Sequence, residues 1–260
     1  MTALEAMGWR PELASALAGG QAPARVVLAE RGAYQVSDGA REWTAVVPGR
    51  VRHRAARGAL PVVGDWVAVR DAVIEAVLPR ATVLARRDPD GTRAQVLVAN
   101  VDLALVVMGL DGDFNLRRLE RYLTLVAGAG VRPAVVLSKA DQFDPAAQLA
   151  EVSSAAPGVS VVAADLRAGS PAIAALLEAR ETAVLLGSSG AGKSTLLNRL
   201  VGEEVQKTAP VRAHDSRGRH TTSRRQLFRL PGGALVIDTP GLRAIDSSQL
   251  APGASPPRRR

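Results

Sequence analysis

Residues 181–201 read ETAVLLGSSGAGKSTLLNRLV. An apolar run of the kind that forms a buried strand stops at Gly187, and a helix-like run follows a short polar loop. The loop holds Gly187, Ser188, Ser189, Gly190, Ala191, Gly192, Lys193 and Ser194, with Thr195 opening the helical stretch. This is G-x-x-x-x-G-K-S in a strand–loop–helix setting, the context a phosphate-binding loop requires. Glycines let the backbone wrap an anion, while successive N–H groups and the helix N-terminus supply positive potential. Lys193 is expected to reach the β- and γ-phosphates of a nucleotide, and the Ser194 hydroxyl to ligate Mg²⁺. An ordinary glycine-rich turn would not need every specified residue and both flanks.

Such a loop constrains the rest of the chain to an alternation of strands and helices, and the sequence from about residue 94 supplies it. Residues 101–108 are continuously apolar, and 115–126 carry Leu116, Leu119, Leu123 and Val126 at helical spacing. Strand-like runs at 134–137 and 159–162 alternate with helical patterns at 145–152 and around 173–177. Buried strands alternating with helices predict a mostly parallel sheet covered on both faces, with ligands bound beyond the strand carboxyl ends.

Earlier in the chain the period is different. After a loosely helical lead-in over 1–24, short alternating or apolar runs fall at 26–28, 34–36, 43–47, 66–69 and 73–77, punctuated by Gly, Asp and Pro. Five short strands in so little chain predict a small all-β barrel over 25–88, with the OB-fold first among candidates. The loop RVRHRAAR carries Arg50, Arg52, Arg54 and Arg57 around His53. Those arginines read either as an RNA-contacting loop or as a solvated charge run. His53 is read as a polar contact. The stretch RRDPDGTR, 86–93, marks a boundary, and an α/β unit is expected over 94–246. Residues 247–260, rich in Pro, Ser and Arg, are expected to form a disordered basic tail.

Two further stretches bear on the chemistry. Ser138, Lys139, Ala140 and Asp141 follow the run 134–137, and S-K-x-D at a strand end resembles the N-K-x-D guanine motif. A carboxylate at Asp141 can accept from both N1–H and the 2-amino group of guanine, a donor pair adenine lacks. Ser138 stands where Asn is usual, which removes an amide. Farther on, Asp238-Thr239-Pro240-Gly241 ends another apolar run. An Asp-x-x-Gly there is the second switch of a GTPase, with Asp238 acting on Mg²⁺ and the Gly241 N–H sensing a γ-phosphate. Thr221 or Thr222, in GRHTT, would complete the Mg²⁺ shell. These features disfavour a third reading, a P-loop ATPase or kinase.

The base motif precedes the phosphate loop, the reverse of the usual order, and a circular permutation accounts for this. With the barrel included, residues 25–245 resemble the circularly permuted, ribosome small-subunit-dependent GTPases of the RsgA/YjeQ family. The resemblance rests on VVGDWV, VLPR, VANVDLALVV, DFNLRRLERYL, VVLSKAD, GSSGAGKSTLLNRL, GRHTT and IDTPGLR. It implies binding of GTP and GDP with Mg²⁺, hydrolysis stimulated by the small ribosomal subunit, contact with 16S rRNA, and a role in late subunit maturation. Because Leu242 follows Gly241 where many GTPases place a water-orienting Gln, the resemblance points to His220 as the residue that orients or deprotonates water. A net charge of +8 agrees with a polyanionic partner. The family also carries a Cys/His zinc-binding domain after the second switch; this chain has no cysteine, and no zinc site is expected. The loop that would carry a Ser-Ala base contact reads Val162-Ala163-Ala164-Asp165. No secretory signal or membrane-spanning run is visible, so a cytoplasmic monomer without a membrane partner is expected. The alternative from another class is a ribosome-binding module whose nucleotide domain barely turns over.

Overall fold

The computed structural model describes residues 1–30, 32–49, 52, 59–87, 94–206 and 225–239. Its first strands are β1 (Ala22–Ala29), β2 (Ala33–Ser37), β3 (Glu42–Val46), β4 (Trp66–Arg70) and β5 (Val73–Val77). β1 pairs antiparallel with both β2 and β4, β3 meets β5 in parallel at Val46 and Val73, and β4 pairs with β5. The five strands therefore close on themselves as the sequence predicts. Alternation sets the interior: Tyr34, Val36, Ala45, Val67 and Ile74 are buried inside with Ala24 and Val26.

A two-stranded ribbon follows, β6 (Val83–Arg87) with β7 (Ala94–Ala99), on either side of residues 88–93. Then comes the alternating part: β8 (Leu103–Gly109), β9 (Arg132–Ser138), β10 (Ser160–Ala164), β11 (Thr182–Leu186), β12 (Gln226–Arg229) and β13 (Leu235–Asp238). Strand order is β10-β9-β8-β11-β13-β12, all parallel except β12. The helices that matter here are α1 (Ala3–Ala6), α2 (Leu116–Gly128), α3 (Ala146–Ala155), α4 (Pro171–Ala174) and α5 (Lys193–Val201).

The period-two rule divides β8 between two cores. Ala104, Val106 and Met108 face one cluster with Leu119, Tyr122 and Val126 of α2; Leu103, Leu105 and Val107 face the other with Ile173, Leu196 and Leu197 of α4 and α5. The first cluster runs on without a break into Val27, Trp66 and Ala68 of the barrel, and β1 touches β12 at Leu28 and Gln226. Barrel and parallel sheet thus share one core and one continuous sheet.

Arg25 ties the parts together. Its guanidinium, 1% exposed, donates to the Met7 carbonyl, to Asn100 O at 3.1 Å and to Thr182 Oγ1 at 2.8 Å, and lies 5.6 Å from the Trp66 ring centre. Burial pushes its pKa down to about 10, so it stays charged at neutral pH. Trp9 of the lead-in packs edge-on against Trp66 at 4.8 Å, and Arg10 pairs with Asp102 at 2.8 Å.

Candidate functional site

After β8 the chain moves to β9 and β10 on one side, whereas after β11 it continues to β13 on the other. The crevice between the carboxyl ends of β8 and β11 is the switch point of the sheet, where ligands bind in this class of fold. The loop leaving β11 is Gly187–Ser194. Gly187 has φ +138, and a Cβ there would stand 2.2 Å from the Val107 carbonyl, so only glycine lets the loop start so close to β8. Gly192, at φ +95, is the N-cap of α5, and a Cβ would meet Leu166 Cδ1 at 2.9 Å. The free N–H groups of the first turn of α5 thus border the loop. Lys193 is buried; its ammonium donates to Gly187 O at 2.9 Å and to the Ser188 carbonyl. Ser194 is half-buried at the first turn, and Ser189 and Gly190 are exposed.

The S-K-x-D stretch lies against this loop although far from it in sequence. Ser138, 1% exposed, places its hydroxyl 2.7 Å from Ala191 O and 3.2 Å from Met108 O. The sequence treats Ser138 as the loss of an amide; in the structure its hydroxyl ties the S-K-x-D stretch to the Gly187–Ser194 loop. Lys139 has φ +66 and pairs with Asp111. Burial, the largest influence on Asp111, raises its pKa, but hydrogen bonds from Lys139 and the Asp113 N–H, with the Lys139 charge, hold the carboxyl below its ordinary value. Asp141 is exposed beyond the strand end, with Gln142 Nε2 at 3.1 Å. Ala140 N reaches Ala164 O at 3.4 Å, which brings the loop after β10 beside the base motif.

On the other side, β13 runs parallel to β11 and ends at Asp238. Asp238 and Thr239 are both buried, and Thr239 Oγ1 donates to Leu185 O at 3.0 Å. The Asp238 carboxylate therefore sits at the end of the strand adjoining the one that feeds the Gly187–Ser194 loop. A hydroxyl (Ser194) and a carboxylate (Asp238) are hard oxygen donors of the type that suits Mg²⁺. His220, Thr221, Thr222, Gly241, Arg50, Arg54, Arg57 and His53 lie outside the described residues, as do 247–260. Arg52 is described and exposed.

Two further contacts join motifs that the sequence shows only separately. Asp113 accepts from Ser188 and from Arg118, a link carried by the DFNLRRLERYL stretch. VVGDWV and VLPR meet through Asp65, wholly buried, and Arg80, whose Nε and Nη2 donate to it at 2.7 Å. Asp113 and Asp65 are each visible in the sequence as an acidic residue following glycine, a signal without a partner until the fold supplies one.

The sequence model of the RsgA GTPase family matches residues 77–248. The protein called small ribosomal subunit biogenesis GTPase RsgA in Syntrophotalea carbinolica is 46% identical over 239 residues, covering 86% of this chain and 66% of the relative. Its namesake in Xylella fastidiosa is 47% identical over 236 residues, covering 86% and 69%. The chain thus spans about two thirds of the length of the curated relatives it matches. Among solved structures, YjeQ from Thermotoga maritima superposes with a TM-score of 0.64 at 22% identity, covering 87% of this chain and 77% of that one. YloQ, described as a circularly permuted GTPase, gives 0.56 at 21%, covering 88% and 74%. At those identities the structures speak for the fold.

Proposed function

The chain belongs to the RsgA GTPase family, and from that premise we propose that it binds GTP and hydrolyses it to GDP and phosphate in late maturation of the small ribosomal subunit. The observation that carries this reading is the 2.7 Å contact from Ser138 Oγ to Ala191 O. It supports the reading by joining the S-K-x-D stretch to the G-x-x-x-x-G-K-S loop, the two in reversed sequence order, at the switch point of a parallel sheet. That placement suits a P-loop domain in permuted form, with the barrel read as an OB-fold. We assign 25–88 to the barrel and 94–246 to the nucleotide domain.

In this reading Asp141 recognises guanine, and the Lys139 stem covers the base. Lys193, oriented by hydrogen bonds to the carbonyls of Gly187 and Ser188, serves the β- and γ-phosphates. The backbone N–H groups of Ser189, Gly190, Ala191, Gly192 and Thr195 line the anion's path. Ser194 and Asp238, with Thr221 or Thr222, would hold Mg²⁺, which neutralises charge developing on the phosphates. The Gly241 N–H senses the γ-phosphate. His220 orients the attacking water, because the aliphatic Leu242 cannot. The partner is the small subunit through its 16S rRNA, with Arg50, Arg52, Arg54 and Arg57 contributing phosphate contacts, and the protein works as a cytoplasmic monomer. No helix among the described residues is long and apolar enough to cross a membrane.

The test compares single-turnover GTP hydrolysis, with and without small subunits, in the wild type, Lys193→Ala and His220→Ala. Lys193→Ala should lose nucleotide binding. His220→Ala should bind GTP normally and lose about 10²–10⁴-fold in stimulated turnover. Wild-type protein that binds GTP without any turnover would leave a binding module instead of an enzyme. ATP competing as well as GTP would overturn the guanine assignment.

A further inference from the structure

The switch-point crevice has two walls. One is the phosphate loop after β11; the other is the segment GLDGDFN, residues 109–115, after β8. Each of the two carboxylates in that segment ends on a different nucleotide motif. Asp111 pairs with Lys139 of the base motif. Both oxygens of Asp113 lie 2.6 Å from Ser188 Oγ in the phosphate loop. Asp113 Oδ1 also accepts from Arg118 Nη2 at 2.7 Å, and Oδ2 lies 3.4 Å from Gly109 N. Arg118 is itself fixed: Asn115 caps α2 by accepting from the Arg118 N–H at 2.9 Å. On the far side, the Ser188 carbonyl is one of the two on which the Lys193 ammonium rests. A continuous chain therefore runs from α2 through Arg118, Asp113 and Ser188 to the lysine meant for the phosphates.

We infer that Asp113 is a positioning residue for the phosphate loop: it pins Ser188, and through Ser188 holds the loop and Lys193 in the arrangement that receives a nucleotide phosphate. The inference rests on the nucleotide-site reading above. Its physical basis is the strength of hydrogen bonds to an ionised acceptor and the need to hold a glycine-rich loop, which has many conformations to lose, in one of them before an anion arrives. Arg118 offsets the Asp113 charge, so the tether does not present a bare anion to the incoming phosphate.

The experiment measures GDP affinity and dissociation rate with a fluorescent GDP analogue on the full chain. The variants are Asp113→Ala, Asp113→Asn, Ser188→Ala, the double alanine variant and Lys193→Ala. Asp113→Ala and Ser188→Ala should each weaken GDP binding about tenfold, chiefly by faster dissociation, as expected from one lost charge-assisted hydrogen bond. The double variant should be no worse than either single one, because both remove the same interaction. Asp113→Asn, whose amide oxygen can still accept from Ser188, should recover part of the loss. Should Asp113→Ala fail to fold, Ser188→Ala and Asp113→Asn decide the matter. Wild-type affinity in the Ser188 variant, or effects that multiply in the double variant, overturns the inference. If Lys193→Ala loses GDP while the Asp113 and Ser188 variants keep it, the positioning role falls and the nucleotide site stands. If Lys193→Ala binds GDP like the wild type, both fall.

Discussion

In the proposed reading, Asp141 is the residue on which base selectivity depends. It is exposed at the crevice, and its carboxylate can only accept, which matches the two donors on the guanine edge. Asp141→Asn turns one acceptor into a donor facing a donor. GTP affinity should fall by about 10²-fold, from hydrogen bonds to a charged group worth about 1.5–3 kcal/mol each, and xanthosine triphosphate should gain. Competition between the two nucleotides reads this directly, and an unchanged GTP affinity would remove Asp141 from the base site. The Lys139–Asp111 pair beside it gives a pH signature. Asp111 titrates below its ordinary 3.8 in the folded protein. A carboxyl with a depressed folded pKa adds stability that is complete above the unfolded value and is lost as pH falls through the folded one. With the pair partly open to solvent, the contribution is about 0.5–1 kcal/mol. Wild-type protein should therefore outlast Asp111→Asn in thermal melts at about pH 6, and the gap should close as pH falls through the lowered Asp111 pKa. A gap of the same size in acid would mean that Asp111 acts by shape, not by charge.

At the level of elements, most of what was legible came from period. The runs at 101–108, 134–137 and 183–186 had to be strands buried on both faces, and 115–126 had to be an amphipathic helix; β8, β9, β11 and α2 occupy those places. The five barrel strands were legible because β-branched residues alternate between short turns. What could not be read were contacts between elements. Arg25 looks like a surface residue at the start of a strand, yet it is buried under Met7, Asn100 and Thr182. The polar stretch 86–93 reads as a boundary, whereas its first two residues belong to β6, which pairs with β7 just beyond it. Asp65 and Arg80 sit in separate motifs, and only the closure of the barrel shows that each completes the other. Asp65 also accepts from Val62 N at 2.8 Å, and Arg80 Nη2 donates to Leu60 O at 3.1 Å, so the pair fixes the approach to β4. Removing one member of a buried pair leaves the other charge uncompensated, so Asp65→Ala should lower stability by about 3–5 kcal/mol. Asp65→Ala with Arg80→Ala together should lose less than the sum of the single losses. Urea unfolding measures both; a loss below about 1 kcal/mol in the single variant would show that the pair is not what holds this segment.

For the whole molecule the question is whether barrel and nucleotide domain respond as one body. Three features link them: the β1–β12 contact, a core cluster that includes both Trp66 and Ile237, and Arg25, which joins the barrel to the start of β11. The far end of β11 leads into the Gly187–Ser194 loop, so the strand anchored by Arg25 at Thr182 is the one that delivers Gly187 to the crevice. The chain offers a direct way to test the linkage. Its three tryptophans, Trp9, Trp43 and Trp66, all lie in the lead-in and barrel. Intrinsic fluorescence therefore reports chiefly on the barrel and on the core it shares through Trp66, while in the proposed reading GDP binds at the far end of the parallel sheet. A ligand that binds only the folded state stabilises whatever unfolds together with its site, by about 2.7 kcal/mol at a concentration one hundred times its dissociation constant. If the shared core makes unfolding cooperative, GDP should raise the urea midpoint seen by tryptophan fluorescence by the full equivalent of that energy. The midpoint seen by far-ultraviolet circular dichroism should move with it. Replacing Arg25 with Met removes the tie to Thr182 and Asn100 while keeping an apolar stem over Trp66, so the fluorescence transition should come earlier and respond less to GDP. A tryptophan transition indifferent to GDP in the wild type would show that the barrel unfolds by itself, and that the common sheet and core join two bodies without coupling them.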